Sequence, residues 1–187
     1  KGVTYIIDHH SSPNSSENSL RTISEELESF GLRSILCFET SDRNGKELCE
    51  KGIEENLNFL KNFSSSNSKS MLGLHASFTL DDDTLKRASE LVKAHDWSIH
   101  VHLCEDISDI QETNRKYGSN PLKRFFEYEL LNRKSILAHG IHIGDNELEM
   151  ISESGASIAL NIDSNMNNSV GLHKYDLMRG KVPLLVG

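Results

Sequence analysis

The sequence lacks several features, and each absence removes a class of protein. No run of about eighteen apolar residues occurs, so no membrane-spanning helix is expected. The three cysteines, Cys37, Cys49 and Cys104, are odd in number and show no CxxC spacing. A disulfide framework and a structural zinc knuckle are therefore not suggested, and a reducing cytoplasm is the expected setting. Basic residues are scarce: Lys and Arg number 20 against 28 Asp and Glu, for a net charge of -8. With a pI near 5.6, nucleic acid and anionic membrane are poor partners. The sequence opens on an apolar strand, so no signal peptide is expected. What is present is ordinary for a soluble globular domain: 187 residues, 36% hydrophobic and 26% charged, long enough for one core.

Short apolar runs alternate with helical periodicity along the whole chain. Gly2 to Asp8 reads as a strand that runs into His9-His10 and a Ser/Pro/Asn loop. Leu20, Ile23, Leu27 and Phe30 then fall at helical spacing, with Gly31 placed to end the helix. Arg33 to Phe38 is the second strand, followed by a polar loop, Glu39 to Gly45, and a helix with Ile53, Leu57 and Leu60 on one stripe. Serine-rich Phe63 to Ser70 reads as a flexible connector, and Met71 to Ala76 as the third strand. Asp81 to His95 is helical, the strand around His100 follows, and further helices run from about Ser108 to Tyr117 and from Asn120-Pro121. Ser135 to His139, Ser157 to Asn161 and Val182 to Val186 complete seven strands. A helix with Leu148 and Ile151 stops at Gly155, Asp163 to Asn168 reads as a polar loop, and a small helix lies around Tyr175 to Met178.

The stretch Ser98 to Asp106, SIHVHLCED, organises the rest. On a strand His100 and His102 share a face, and Glu105 lies past the strand end, free to swing over whatever His102 holds. That is the layout of a metal ligand beneath a proton-carrying carboxylate. A histidine on a strand is commonly just a satisfied core residue, so partners are needed from other strands. Asp8, His75, His139 and Asn161 supply them, each near the carboxyl end of its own strand. Apolar strands alternating with helices imply a parallel sheet covered on both faces. A (β/α)8 barrel would gather these strand ends at one mouth, whereas an open sheet would string them along an edge. The expected fold is thus α/β, an incomplete TIM-type barrel of about seven strands.

Four motifs in order, Gly73 to Leu80 with His75, His102-Leu103-Cys104-Glu105, Leu137 to His142 with His139, and Asn161 to Met166, resemble the amidohydrolase superfamily. The match is to its deaminase and chlorohydrolase branch. Ile7-Asp8-His9-His10, Ser12-Pro13-Asn14 and Ser164 to Asn168 are most similar to the SsnA-type aminohydrolases. The resemblance implies that His102 binds one divalent metal, zinc above iron or manganese, and that Glu105 moves the proton of the attacking water. It implies that His139 contacts metal or hydroxide and polarises the substrate, and that His75 and Asn161 contact substrate. The implied reaction is hydrolysis of a C–N bond in a cyclic amidine such as a purine- or pyrimidine-like base. Chloride release in place of ammonia is chemically close.

The same resemblance implies features that this sequence does not show: a His-x-His pair on a first strand, an aspartate on a last strand, and a small β-sandwich domain. Residues 1–187 would then be part of a barrel domain, a fragment expected to be inactive by itself. Two open sheet edges would invite pairing with a second copy. Asp8-His9-His10 also resembles the DHH manganese phosphoesterases, and a non-catalytic binding or assembly unit is the third reading. Among single residues, His9 and His10 are candidates for the substrate mouth, His142 for a structural cap and Cys104 for packing. His95 and His173 are expected to be peripheral.

Overall fold

A computed structural model describes residues 2–187. It divides into two compact units, 1–75 and 76–187. None of its helices is long and apolar enough to cross a membrane.

The first unit contains β1 (Tyr5–His10), α1 (Ser19–Ser29), β2 (Arg33–Phe38), α2 (Lys46–Asn62), β3 (Ser68–Ser70) and most of β4 (Leu72–Ala76). Strands β1, β2 and β3 are parallel neighbours in that order, and the Thr40–Leu74 bridge brings β4 alongside. Its core is Leu20, Leu36, Phe38 and Phe59, with Ile23, Leu27 and Phe63 packed against it. Helix α1 has no capping side chain of its own at Asn18; buried Glu55 of α2 instead accepts the Asn18 and Leu20 amides at 2.9 and 3.0 Å. These are amides that a helix start leaves without intrahelical acceptors.

Asn56, fully buried on α2, stitches this unit together. Its Oδ1 accepts the Phe38 and Gly73 amides, and its Nδ2 donates to the carbonyls of Phe38 and Gly52. Gly73 permits the close approach of β4 to β2: a Cβ there would sit 2.2 Å from the Phe38 carbonyl oxygen.

The serine-rich stretch is not wholly a connector. Ser68 to Ser70 forms β3, paired with β2 through Ser34–Ser68. The buried hydroxyl of Ser68 lies 2.7 Å from those of both Ser24 and Ser34. A serine cluster that satisfies itself can be buried, which a composition-based reading does not detect.

The second unit holds α3 (Asp82–His95), β5 (Ile99–Leu103), α4 (Ile107–Tyr117), α5 (Pro121–Glu127), β6 (Ile136–His139), α6 (Asp145–Ser154), β7 (Ser157–Leu160), α7 (Ile162–Asn167), α8 (Tyr175–Met178) and β8 (Leu184–Val186). Strands β5, β6, β7 and β8 are parallel and adjacent in chain order. Ile99, Val101 and Leu103 of β5, Leu137 of β6 and Ile158 of β7 are buried, as are Leu85, Leu122, Phe125 and Ile151 from the helices. Asn120 caps α5 by accepting the Leu122 amide at 2.9 Å, with Pro121 in the first turn, as the sequence predicts. Buried Arg124 of α5 donates to the Ser77 and Leu80 carbonyls and to Asp82, and its guanidinium lies 3.5 Å from the Tyr117 ring centroid.

The expected polar loop at Asp163 to Asn168 is instead largely helix α7. With β3 included, the described residues form eight strands rather than about seven. The other strands and helices fall where periodicity predicts, to within a few residues at their ends.

Candidate active site

In the second unit, His100 and His102 lie on one face of β5, their ring centroids 6.5 Å apart. His139, the last residue of β6, brings its ring centroid to 5.6 Å from that of His102. Glu105, past the end of β5, places Oε2 3.6 Å from His139 Nε2 and accepts from Asn168 Nδ2 at 3.2 Å. His139 Nδ1 lies 2.7 Å from Oδ1 of buried Asn165; an amide oxygen only accepts, so the ring nitrogen donates. Asn161, just after β7, directs Nδ2 at His139 Nε2 at 3.4 Å. The Asn165 amide nitrogen faces the ring of His173, 3.2 Å from its Nε2.

The electrostatics follow from burial. His100, 7% exposed, is pushed down to about 3 by desolvation and by neighbouring His102 and His139, so its imidazole stays neutral. Partial burial also holds His173 below the usual histidine range. Cys104 is buried, and desolvation with the nearby carboxylates of Asp109 and Glu147 pushes its thiol up, so it is no nucleophile.

Two strands leave the sheet through left-handed residues: Cys104 has φ 48° and His139 φ 73°, followed by Gly140 at φ 66°. Side chains other than glycine seldom adopt this conformation, and where they do it is often at functional sites.

In the first unit, a second polar cluster occupies its strand ends. Glu39 Oε1 accepts from Ser11 Oγ at 3.0 Å and from the Arg43 guanidinium. Arg43 Nη1 donates to His75 Nε2 at 3.0 Å. His9 has Nδ1 3.6 Å from the Cys37 sulfur and Nε2 3.9 Å from Glu39 Oε2, while His10 Nε2 pairs with Ser12 at 2.8 Å. Desolvation raises both the Asp8 carboxyl and the buried Cys37 thiol.

Residues 1–177 match the amidohydrolase family. The chain belongs to the amidohydrolase family. A 5-methylthioadenosine/S-adenosylhomocysteine deaminase of Pyrococcus furiosus is 30% identical over 176 residues, 91% of this chain and 40% of that protein. An adenosine deaminase from Xanthomonas campestris with bound zinc superposes on all of this chain with TM-score 0.83 at 19% identity, over 42% of its own length. The guanine deaminase of E. coli does so with TM-score 0.86 at 21% identity, over 45% of its length. The chain thus spans less than half the length of these relatives, and its fold is part of a (β/α)8 barrel.

Among the side chains of this cluster, the imidazoles of His102 and His139 are of a type that divalent metals such as zinc accept. The bond from His139 Nδ1 to Asn165 leaves Nε2 as the lone-pair nitrogen, the way a ligating histidine is oriented from behind.

The structure therefore groups four of the residues singled out from sequence, His102, Glu105, His139 and Asn161. His75 lies in the first unit beside Arg43, which also donates to Glu39. Family membership displaces the phosphoesterase reading of Asp8-His9-His10. His173, expected to be peripheral, contacts Asn165 and so joins the His139 network. His142 does serve structure, with Nε2 3.1 Å from the Val170 carbonyl. No role follows from the sequence for Asn165 and Asn168, which lie in a polar stretch without periodicity; their helical conformation is what turns them inward and toward Glu105. Glu39 and Arg43 gave only the signal of a polar loop after a strand.

Proposed function

We propose that this chain is part of the catalytic domain of a metal-dependent aminohydrolase that opens a C–N bond of a cyclic amidine, a purine- or pyrimidine-like base, with release of ammonia. The observation that carries the reading is the convergence of Glu105, His139 and His102, with Glu105 Oε2 3.6 Å from His139 Nε2. Residues 1–187 are proposed to form one partial barrel domain.

His102 and His139 are the residues proposed to hold the metal, with zinc favoured by the imidazole donors. Such a metal supplies an acidified water, its pKa lowered toward about 7, and polarises the bond under attack. Glu105 carries the proton. Its side chain is 31% exposed, so one carboxylate oxygen can accept a proton from water and pass it to a ring nitrogen in front of His139. Asn161 lies on the Nε2 side of His139 and, with a metal on Nε2, is proposed to turn its amide donor to substrate. His75 is proposed as a substrate contact, held by Arg43. A planar, weakly basic heterocycle suits such donors and acceptors.

The test is ammonia release from a panel of aminopurines, aminopyrimidines and 5′-substituted adenosines by the full-length protein, with and without added zinc. Metal-dependent turnover of at least one substrate, abolished by Glu105→Gln, is the expected result. Turnover that survives that substitution would remove Glu105 from its role.

A further inference from the structure

The geometry points to Asp109 as the positioning residue of Glu105, acting through the backbone of Cys104. This rests on the proposed role of Glu105.

Glu105 follows a residue that would not choose its conformation. Cys104 stands at φ 48°, a left-handed turn that reverses the chain at the end of β5 and sends Glu105 toward His139. A non-glycine residue pays for that turn in steric strain and holds it only if its surroundings fix it. Here both polar groups of Cys104 are fixed. Its carbonyl accepts the amides of Ile141 and His142, each at 3.1 Å. Its amide donates to Asp109 Oδ2 at 2.7 Å.

Asp109 is suited to this and to little else. It is the third residue of α4, after the capping residue Asp106. A carboxylate at that position ordinarily reaches back to the amide of the capping residue itself. Asp109 reaches two residues further, to the amide of the strained turn. It is 4% exposed, its Oδ1 receives the Thr113 hydroxyl at 3.4 Å, and the Phe78 amide also donates to it. Burial pushes the carboxyl up to about 6, so the anion is retained at neutral pH at a desolvation cost that these donors only partly offset. A buried carboxylate at the far side of a turn from a proton-carrying carboxylate is costly unless the turn depends on it.

Hydrogen exchange on this chain, read at single amides, gives the first test. Asp109→Ala should speed exchange of the Cys104 amide about tenfold or more, the loss of one buried bond to a charged acceptor. The amides of Val101 and Leu137 should keep their rates, and the Asn168 side-chain amide resonances should shift as Glu105 moves away. Asp109→Asn, which retains an acceptor oxygen, should restore most of the Cys104 protection. In the full-length protein, Asp109→Ala should lower kcat about 10- to 100-fold with KM nearly unchanged, since the substrate contacts lie elsewhere, and Asp109→Asn should recover most of kcat.

If Asp109→Ala does not fold, Asp109→Ala with Cys104→Gly is measured instead. Glycine takes the turn without strain but, with no acceptor for its amide, does not hold it, so this protein should fold and still lack kcat. Wild-type kcat in it, unchanged Cys104 exchange in Asp109→Ala, or equal losses in the Ala and Asn variants would each overturn the assignment. Exchange and resonance effects as expected, in a full-length protein that hydrolyses no heterocycle, would support the Asp109 assignment while removing the proposed chemistry.

Discussion

The two carboxylates at strand ends, Glu39 in the first unit and Glu105 in the second, are held in opposite ways. Glu39 is 9% exposed in its side chain and is met by the Arg43 guanidinium and the Ser11 hydroxyl, so its charge is compensated and its geometry fixed. Glu105 is 31% exposed and meets an imidazole and a side-chain amide. Glu39 is thus tied into an ion pair and a hydroxyl bond, whereas Glu105 keeps part of its carboxylate open to solvent. The backbones differ in parallel. None of His9, Glu39, Arg43 and His75 has a positive φ, while His139 and the residue before Glu105 both do. Strained backbone and a carboxylate without an arginine partner occur together in the second unit, which is why the chemistry is proposed there.

The largest expected effect breaks the contrast outright. Glu105→Gln in the full-length protein should lower kcat by about 10²- to 10⁴-fold, while thermal stability stays within about 0.5 kcal/mol, because a partly exposed side chain is being replaced by its isostere. Steady-state kinetics beside a denaturation curve read both. Glu39→Gln should show the reverse pattern: Arg43 loses its carboxylate, and stability suffers more than kcat.

Next in size is Asn56→Ala, which leaves the Phe38 amide and carbonyl without their partner at a buried site. A loss of about 2–4 kcal/mol is expected in urea denaturation, several times that of an exposed polar substitution. Gly73→Ala should be comparably damaging, since the added methyl meets the Phe38 backbone oxygen.

Asp109 predicts a pH effect with a definite sign. Its folded pKa, about 6, lies above the ordinary value of 3.8. The folded state therefore holds a proton that the unfolded state has released between about pH 4 and 6. Stability should fall as pH rises through that window and stay reduced above it, by about 3 kcal/mol for a carboxyl raised from 3.8 to about 6. Asp109→Asn removes this component, so the difference between wild-type and variant urea midpoints should change between pH 4 and pH 7. A constant difference would mean that the carboxyl is not shifted.

The smallest effect sharpens the comparison at His139. Asn165→Leu removes the acceptor from Nδ1–H, and imidazole nitrogen NMR should show the single tautomer of wild type giving way to a mixture. A spectrum unchanged from wild type would show that Asn165 does not set the tautomer.

Much of this was legible in the order of residues. Alternating apolar runs at period two and stripes at period 3.6 determine which segments are strands and which helices, because each segment must bury one face or both. The strand-end placement of His102, His139 and Asn161 follows from that pattern alone. The ordered motifs around His75, His102, His139 and Asn161 point to the same family as the match over residues 1–177. Other features left no such trace. Ser68 in β3 is buried by hydroxyl partners 34 and 44 residues away in sequence, so locally the serine-rich run reads as a linker. Helix α7 carries Asn165 inward from a stretch whose polar composition reads as loop.

What the sequence by itself determined is thus the parallel α/β class and the residues able to do acid–base and metal chemistry, since both depend on side-chain type and local period. Only the tertiary structure decided which of those residues lie together. Glu105 faces His139 because Cys104 turns left-handed under the hold of Asp109, Ile141 and His142, and His139 presents Nε2 because Asn165 occupies Nδ1. Those choices belong to hydrogen bonds between segments distant in the chain, and no local pattern encodes them.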